Sequence, residues 1–343
     1  MSTQQQILMN NLGVILLNMG GPDSLDSVRP FLENLFLDKE IISFGPVEFA
    51  RTPLAKFIAK QRSKKVRLNY EMIGGKSPIR ELSQQQAAAL ENRLRMHYGD
   101  ASRVRVEVGF SYWHPFIAEA AQRLEDEGFD RVFLMPLYPH YSKTTTGSCF
   151  KTWRDLKRAG RHRNFRVQSV KSYPTQESFL AAINQRIDEG LARFPVERRA
   201  NVTLLFSAHG TPVSLVEEGD PYSHEIRNTM ESVMRGRSAA LPFHLSFQSK
   251  VGPAKWLTPD TVEKTKELAS AGVKDLLVIP IAFVTDHIET LHELGIELRH
   301  EAREAGIEYF EVMPALNDSE LYIEALASQI IHRMKRRAEL GDI

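Results

Sequence analysis

The chain has a single cysteine, Cys149, among its 343 residues. One thiol excludes an intramolecular disulfide, a zinc site built on cysteines and an iron–sulfur cluster on four cysteine ligands, and it suits a reducing compartment. Excess charge is also missing: 44 Lys and Arg against 43 Asp and Glu leave +1. Nucleic acid as the main partner would call for a strongly basic face. No apolar run approaches the ~18–20 residues of a membrane-crossing helix. The opening M-S-T-Q-Q-Q lacks the basic start and apolar core of a signal peptide. The expected location is therefore cytoplasmic.

Several catalytic signatures are absent as well. There is no G-x-G-x-x-G, and G-G-K-S at 74–77 has Tyr70 where a phosphate loop needs glycine. No G-x-S-x-G elbow offers a nucleophilic serine. H-E-x-x-H fails too, because Ile288 follows His287 and His292 lies five residues on. Metal chemistry must then come from residues distant in sequence.

What is present is alternation. Strand-like runs fall near 14–19, 103–110, 131–136, 165–172, 202–207, 243–248, 275–281 and 307–312. Helical patterns are clearest at 77–97, 115–127, 175–193, 260–271, 289–304 and 318–339. Strand alternating with helix predicts an α/β fold with parallel sheet covered on both faces. Eight strands allow one barrel or two four-stranded layers. A coarse echo between the halves, in which strands end in Gly or Pro and lead through a polar loop to a helix, favours two domains. The boundary falls at 168/169, with the cleft between the lobes and the C-terminal helix packing back on the first lobe.

Residues 31–67 break the rhythm. Phe31, Leu35, Phe36, Ile41, Ile42, Phe44, Phe49, Leu54 and Phe57 precede or overlap the cations Lys56, Lys60, Arg62, Lys64, Lys65 and Arg67. Either this is a core-facing helix pair with a solvated charged face, or an apolar lip for a large flat ligand or a membrane surface.

Two strand ends carry candidate chemistry. V-T-L-L-F-S-A-H-G-T-P (202–212) is a buried strand that delivers His209 to a loop. In open parallel sheets ligands gather at the carboxyl ends of strands. The second is V-I-P-I-A-F-V-T-D-H-I-E-T-L-H-E-L-G-I-E (278–297), where a helix is expected from Thr285 or Asp286. Asp286, Glu289, Glu293 and Glu297 then form an acidic stripe. Such a stripe suits a solvated face or a capping box. Carboxylates this close also raise one another's pKa unless a cation or a mobile proton occupies the site.

S-A-H-G-T-P (207–212), F-Q-S-K-V-G-P-A-K-W-L-T-P (247–259) and I-A-F-V-T-D-H-I-E-T-L-H-E-L (281–294) resemble the ferrochelatase family. L-L-N-M-G-G-P (16–22), Y-E-M-I-G-G-K-S-P-I (70–79) and Y-P-H-Y-S-K-T-T-T-G-S (138–148) follow in family order. The resemblance implies a chelatase-type fold of two Rossmann-like lobes, each a four-stranded parallel sheet flanked by helices. It further implies insertion of Fe²⁺ as substrate into protoporphyrin IX, without an organic cofactor. It makes His209 and Glu289 the metal- and proton-handling centre, with Glu293, Asp286 and His287 as accessory groups. Met19, Tyr70, Trp256 and Phe283 match positions lining the macrocycle, and Arg62 and Ser77 positions near its propionates. Two departures stand out: Lys143 replaces the internal cysteine of cluster-bearing members, so no iron–sulfur cluster is expected, and Ser111 replaces a common arginine. A coproporphyrin or other tetrapyrrole chelatase and a non-catalytic haem carrier are the alternatives. The sequence leaves open a monomer or homodimer, and a peripheral membrane contact through the lip.

Overall fold

The structure is a computed structural model describing residues 11–42, 44–99, 102–237, 240–250 and 254–340. Its strands are β1 (Asn11–Asn18), β2 (Arg103–Phe110), β3 (Arg131–Pro136), β4 (Arg166–Ser169), β5 (Thr203–His209), β6 (Phe243–Gln248), β7 (Asp275–Pro280) and β8 (Tyr309–Val312). They form two sheets in the orders β2-β1-β3-β4 and β6-β5-β7-β8, with every pair parallel. The barrel alternative is thereby excluded, and the second sheet repeats the topology of the first. The central strands β1, β5 and β7 are buried along almost their whole length, as unbroken apolar runs require when helices cover both faces of a sheet.

The strand boundaries depart most from expectation at β1 and β4. The described part of β1 runs from Asn11, which pairs with Arg103 of β2. The edge strand β4 is only four residues long, because its sole neighbour β3 pairs with it over Arg131–Leu134 alone.

Besides a single α-helical turn at Val213–Glu217, the α-helices are α1 (Val28–Leu37), α2 (Arg51–Glu71), α3 (Ile79–Tyr98), α4 (Ile117–Asp126), α5 (Ser148–Arg158), α6 (Glu177–Leu191), α7 (Tyr222–Arg235), α8 (Thr261–Ser270), α9 (Arg299–Ala305) and α10 (Glu320–Leu340). In both lobes the third strand is followed by a π-helical stretch, Lys143–Gly147 before α5 and Glu289–Leu298 before α9. Such i→i+5 winding is rare and recurs at functional sites. G-G-K-S lies between two helices, α2 and α3, with Gly74 and Gly75 at φ of +99° and +83°. This is a reversal that glycine permits, with no strand before it.

The lip is in part a core-facing helix pair. Phe31, Leu32 and Phe36 of α1 are buried against Ala55, Ala59 and Tyr70 of α2 and against Tyr112. Arg51 clamps the base, donating to Ile42 O at 2.7 Å and to Glu48 Oε2 at 2.8 Å. Phe49 is nevertheless 89% exposed and Phe57 60%, and Lys56, Lys60, Arg62, Lys64 and Lys65 are exposed on the same helix as Phe57.

The lobes are not independent bodies. Leu16, Phe110 and Met135 share one buried cluster with Leu204, Phe206 and Ile279 of the second sheet. The C-terminal helix α10 packs on α3 and α6, and Arg93 on α3 pairs with Glu324 on α10 at 2.6 Å. The loop after β3 also lies along α7: His140 Nε2 meets Thr229 Oγ1 at 2.8 Å, and Tyr141 N donates to Glu225 at 2.7 Å. Ser142 Oγ and Lys143 N both donate to Asp220, at 3.0 and 2.7 Å.

Candidate active site

His209 is the last residue of β5, in register with Gln248 at the end of β6. The strand ends there because Gly210 must pass close to its neighbour. A Cβ at that position would lie 2.9 Å from Gln248 O and 3.3 Å from the Trp256 ring. The loop is then pinned: Tyr222 OH donates to His209 O at 3.0 Å, and residues 211 and 213 exchange backbone bonds with 257 and 255.

The turn after β7 supplies the other half. His209 Nδ1 lies 2.8 Å from Glu289 Oε2, and His287 Nε2 lies 3.8 Å from Glu289 Oε1. His287 Nδ1 donates to Thr285 O at 3.0 Å, and with Nε2 turned toward the Glu289 carboxylate both ring nitrogens face acceptors, which favours the protonated imidazole. Glu293 follows one turn along. Gln248 Nε2 donates to it at 3.2 Å, and Ser249 Oγ donates to both Glu293 and Glu289. Ser249 reaches them from a left-handed backbone, φ +65°.

These contacts divide the charges. Burial opposes protonation of His209, but the charge and hydrogen bond of Glu289, with Glu293 behind it, outweigh burial and raise its pKa. The same balance raises that of His287. For Glu289, burial is overcome by His209 and His287, and its carboxyl is held well below the usual range. For Glu293 the hydrogen bonds from Ser249 and Gln248 and the His209 charge are outweighed. Burial and the neighbouring Glu289 push it up to about 7. His209 lies deep in the cleft yet keeps 39% of its side chain open, whereas Glu289 keeps 14%. The result is an accessible imidazole backed by an anion, next to a carboxyl that titrates near neutrality.

The acidic stripe is only half realised. The helix begins at Ile288, not at Thr285 or Asp286, because Asp286 is drawn aside. Its Oδ1 accepts from Thr290 Oγ1 at 2.9 Å and its Oδ2 from Asn317 Nδ2 at 2.8 Å. Glu297 is exposed, 3.8 Å from the buried His292. Glu289 and Glu293 alone face His209.

The expected porphyrin-lining positions fall around this pair to different degrees. The Phe283 ring meets His209 edge-on at 6.3 Å and lies 4.8 Å from His287. Trp256 is half-buried over Gly210. Met19 and Ile288, from opposite lobes, pack on the same lip cluster. Tyr70 is buried, and burial with the Glu289 charge raises its phenol pKa. Ser77 is also buried, so close beneath Gly21 that a Cβ there would come within 2.6 Å. Arg62 is exposed, its guanidinium 5.7 Å over the Phe36 ring. Ser111 rests against the buried Cys149, Oγ to Sγ 3.3 Å, and burial pushes that thiol up to about 12. Ser249, Gln248 and Tyr222 were missed in the sequence because their side chains matter only through partners far along the chain. Among the described residues, no cluster of three or more His, Cys, Asp or Glu is arranged to hold a metal ion.

A two-lobed fold with this double topology is that of the chelatases. The solved structure of SirB from Bacillus subtilis with Fe3+ superposes with a TM-score of 0.52 at 16% identity, covering 75% of this chain and 91% of that one. DR2241 from Deinococcus radiodurans, a multi-domain protein with structural similarity to chelatases, gives 0.52 at 14% identity, covering 93% of this chain and 54% of that one. Sequence narrows the class. The ferrochelatase family model matches residues 11–334. The ferrochelatase of Geotalea uraniireducens is 45% identical over 93% of this chain and 97% of its own length. That of Synechocystis sp. is 42% identical over 94% and 82%. The chain belongs to the ferrochelatase family, the metal-inserting lyases of haem synthesis.

Proposed function

We propose that the protein inserts Fe²⁺ into protoporphyrin IX and releases two protons to give protohaem, with His209, Glu289 and Glu293 as the working groups. The observation that carries this is the His209–Glu289 contact of 2.8 Å with Glu293 beside it. Nδ1 of His209 is engaged by Glu289, so Nε2 is the nitrogen left to take a pyrrole proton or meet the metal. The imidazolium so formed is stabilised by the Glu289 carboxylate. Ser249 bridges Glu289 to Glu293, and a carboxyl near 7 both accepts and releases a proton at neutral pH. Phe283, Trp256 and Met19 supply walls that hold an apolar macrocycle while its pyrrole nitrogens are exposed. Lys143, 3.3 Å from Glu218 and 3.9 Å from Glu40, stands where cluster-bearing relatives carry a cysteine, and no iron–sulfur cluster takes part.

Phe49 and Phe57 beside the lip cations suit an anionic bilayer from which an apolar porphyrin is collected, which makes the protein peripheral to a membrane. Anaerobic incubation with Fe²⁺ and protoporphyrin, followed by absorbance, tests the assignment. The free-base bands should convert to those of haem, and faster conversion of coproporphyrin in parallel would reassign the substrate. Binding without conversion would make the protein a carrier.

A further inference from the structure

The segment bearing His287 and Glu289 belongs to the second lobe, yet it is held from the first. Gln86 lies in the middle of α3 and is fully buried. Its amide crosses to the turn after β7. Nε2 donates to Asn317 O at 2.8 Å and reaches Val284 O at 3.5 Å, while Oε1 accepts from Thr285 Oγ1 at 3.2 Å. Asn317 continues the connection from a left-handed backbone, φ +46°. Its N donates to Val284 O at 2.8 Å, and its side chain brackets Asp286, accepting from N at 3.0 Å and donating to Oδ2 at 2.8 Å. Asp286 Oδ1 then holds Thr290 Oγ1 at 2.9 Å, and that hydroxyl also accepts from His287 N at 3.1 Å. Thr285, which Gln86 fixes by its side chain, offers its carbonyl to His287 Nδ1. Both routes out of Gln86 end on His287, the residue that faces Glu289.

We propose that Gln86, with Asn317, Thr285 and Asp286, is a positioning device by which the first lobe sets the register of the His287–Glu289 segment. This rests on the proposed role of Glu289 and assigns Asp286 to support of the segment instead of to proton transfer. The physical reason is that a buried amide is tolerated only with its partners satisfied. Gln86 has partners for both its oxygen and its nitrogen, so the turn has one low-energy placement against α3. A π-helical start has little stability of its own, and that placement decides where Glu289 stands relative to His209. Simple lobe adhesion is served elsewhere, by the shared core and by the Arg93–Glu324 pair between α3 and α10.

The test compares Gln86→Leu with Arg93→Ala in the full chain. Gln86→Leu should lower kcat for iron insertion by ~10–100-fold, with KM for porphyrin within about twofold, as expected when a reacting group is misplaced by about 1 Å. Arg93→Ala should lower the melting temperature and leave kcat unchanged. Imidazole ¹⁵N shifts at one pH give a readout free of catalysis. In Gln86→Leu the His287 pattern should no longer show an Nδ1 donor held by Thr285. If Gln86→Leu does not fold, Asn317→Gly suits the left-handed backbone and removes only the Asp286 bracket; it should show the same split. A Gln86→Leu protein with wild-type kcat and an unchanged His287 spectrum overturns the proposal. A fully active Glu289→Gln would instead remove the role assigned to Glu289, and the spectrum would still report whether Gln86 places the segment.

Discussion

The two lobes are the same construction used twice, and they differ in what stands at the ends of their central strands. β1 and β5 hold equivalent central places in their sheets, and β3 and β7 do likewise. At the end of β1 stands Asn18, whose Oδ1 accepts from the next backbone N–H at 2.8 Å; at the end of β5 stands His209, aimed at a carboxylate. After β3 the π-helical turn reads K-T-T-T-G and leads to the buried Cys149; after β7 it opens with Glu289 and continues to Glu293. The first lobe uses its strand ends for neutral packing and spends its insertion on a lip of aromatics. A buried carboxylate is costly without cations near it. Gathering His209, His287, Glu289 and Glu293 at the carboxyl ends of β5 and β7 lets each charge offset another.

The largest expected effect tests this asymmetry. His209→Ala should cut iron insertion by ~10³-fold while porphyrin binding, read by fluorescence quenching, persists. The matching change in the first lobe, Asn18→Ala, should cost less than about tenfold. Equal losses at the two strand ends would break the comparison. Next is Glu289→Gln, with a loss of ~10²-fold in kcat. Glu289 raises the pKa of His209 against the pull of burial, so the acid limb of kcat should lie above the 6.5 of a free imidazole. Removing the carboxylate should move that limb to lower pH.

Glu293 gives an effect on stability. Its folded pKa of about 7 exceeds the 4.5 of an ordinary glutamate, so between those values the folded state binds more protons and stability falls as pH rises. Glu293→Gln should remove that slope and raise thermal stability at pH 8 by about 1–3 kcal/mol, with little gain at pH 4.5. An unchanged pH slope in melting temperature would show that Glu293 carries no such burden. The smallest effect on chemistry belongs to the lip: Phe49→Ser with Phe57→Ser should keep turnover of detergent-solubilised porphyrin within about twofold while weakening co-sedimentation with anionic vesicles.

Much of this was legible in one dimension. Alternating apolar runs and helical patterns dictate covered parallel sheets, because a strand buried on both faces must be apolar throughout. The V-T-L-L-F-S-A-H run therefore announced both β5 and the partly open imidazole at its end. The absence of a glycine before G-G-K-S excluded a phosphate loop without any coordinates. Periodicity could not reveal the π winding after β7, since acids at spacings of three and four read as a stripe on an ordinary helix. Nor could it show that Asp286 is taken by Asn317, that Glu297 is left in water, or that Ser249 and Gln248 hold Glu293. Those outcomes depend on contacts such as Gln86 with Asn317, 231 residues apart, and the energy of a buried amide or carboxylate is set by whatever partners the fold brings to it. Sequence alone determined which residues could do chemistry at the strand ends; tertiary structure decided which of the acids lost water, so that the Glu293 carboxyl is pushed up to about 7 while Glu297 stays solvated.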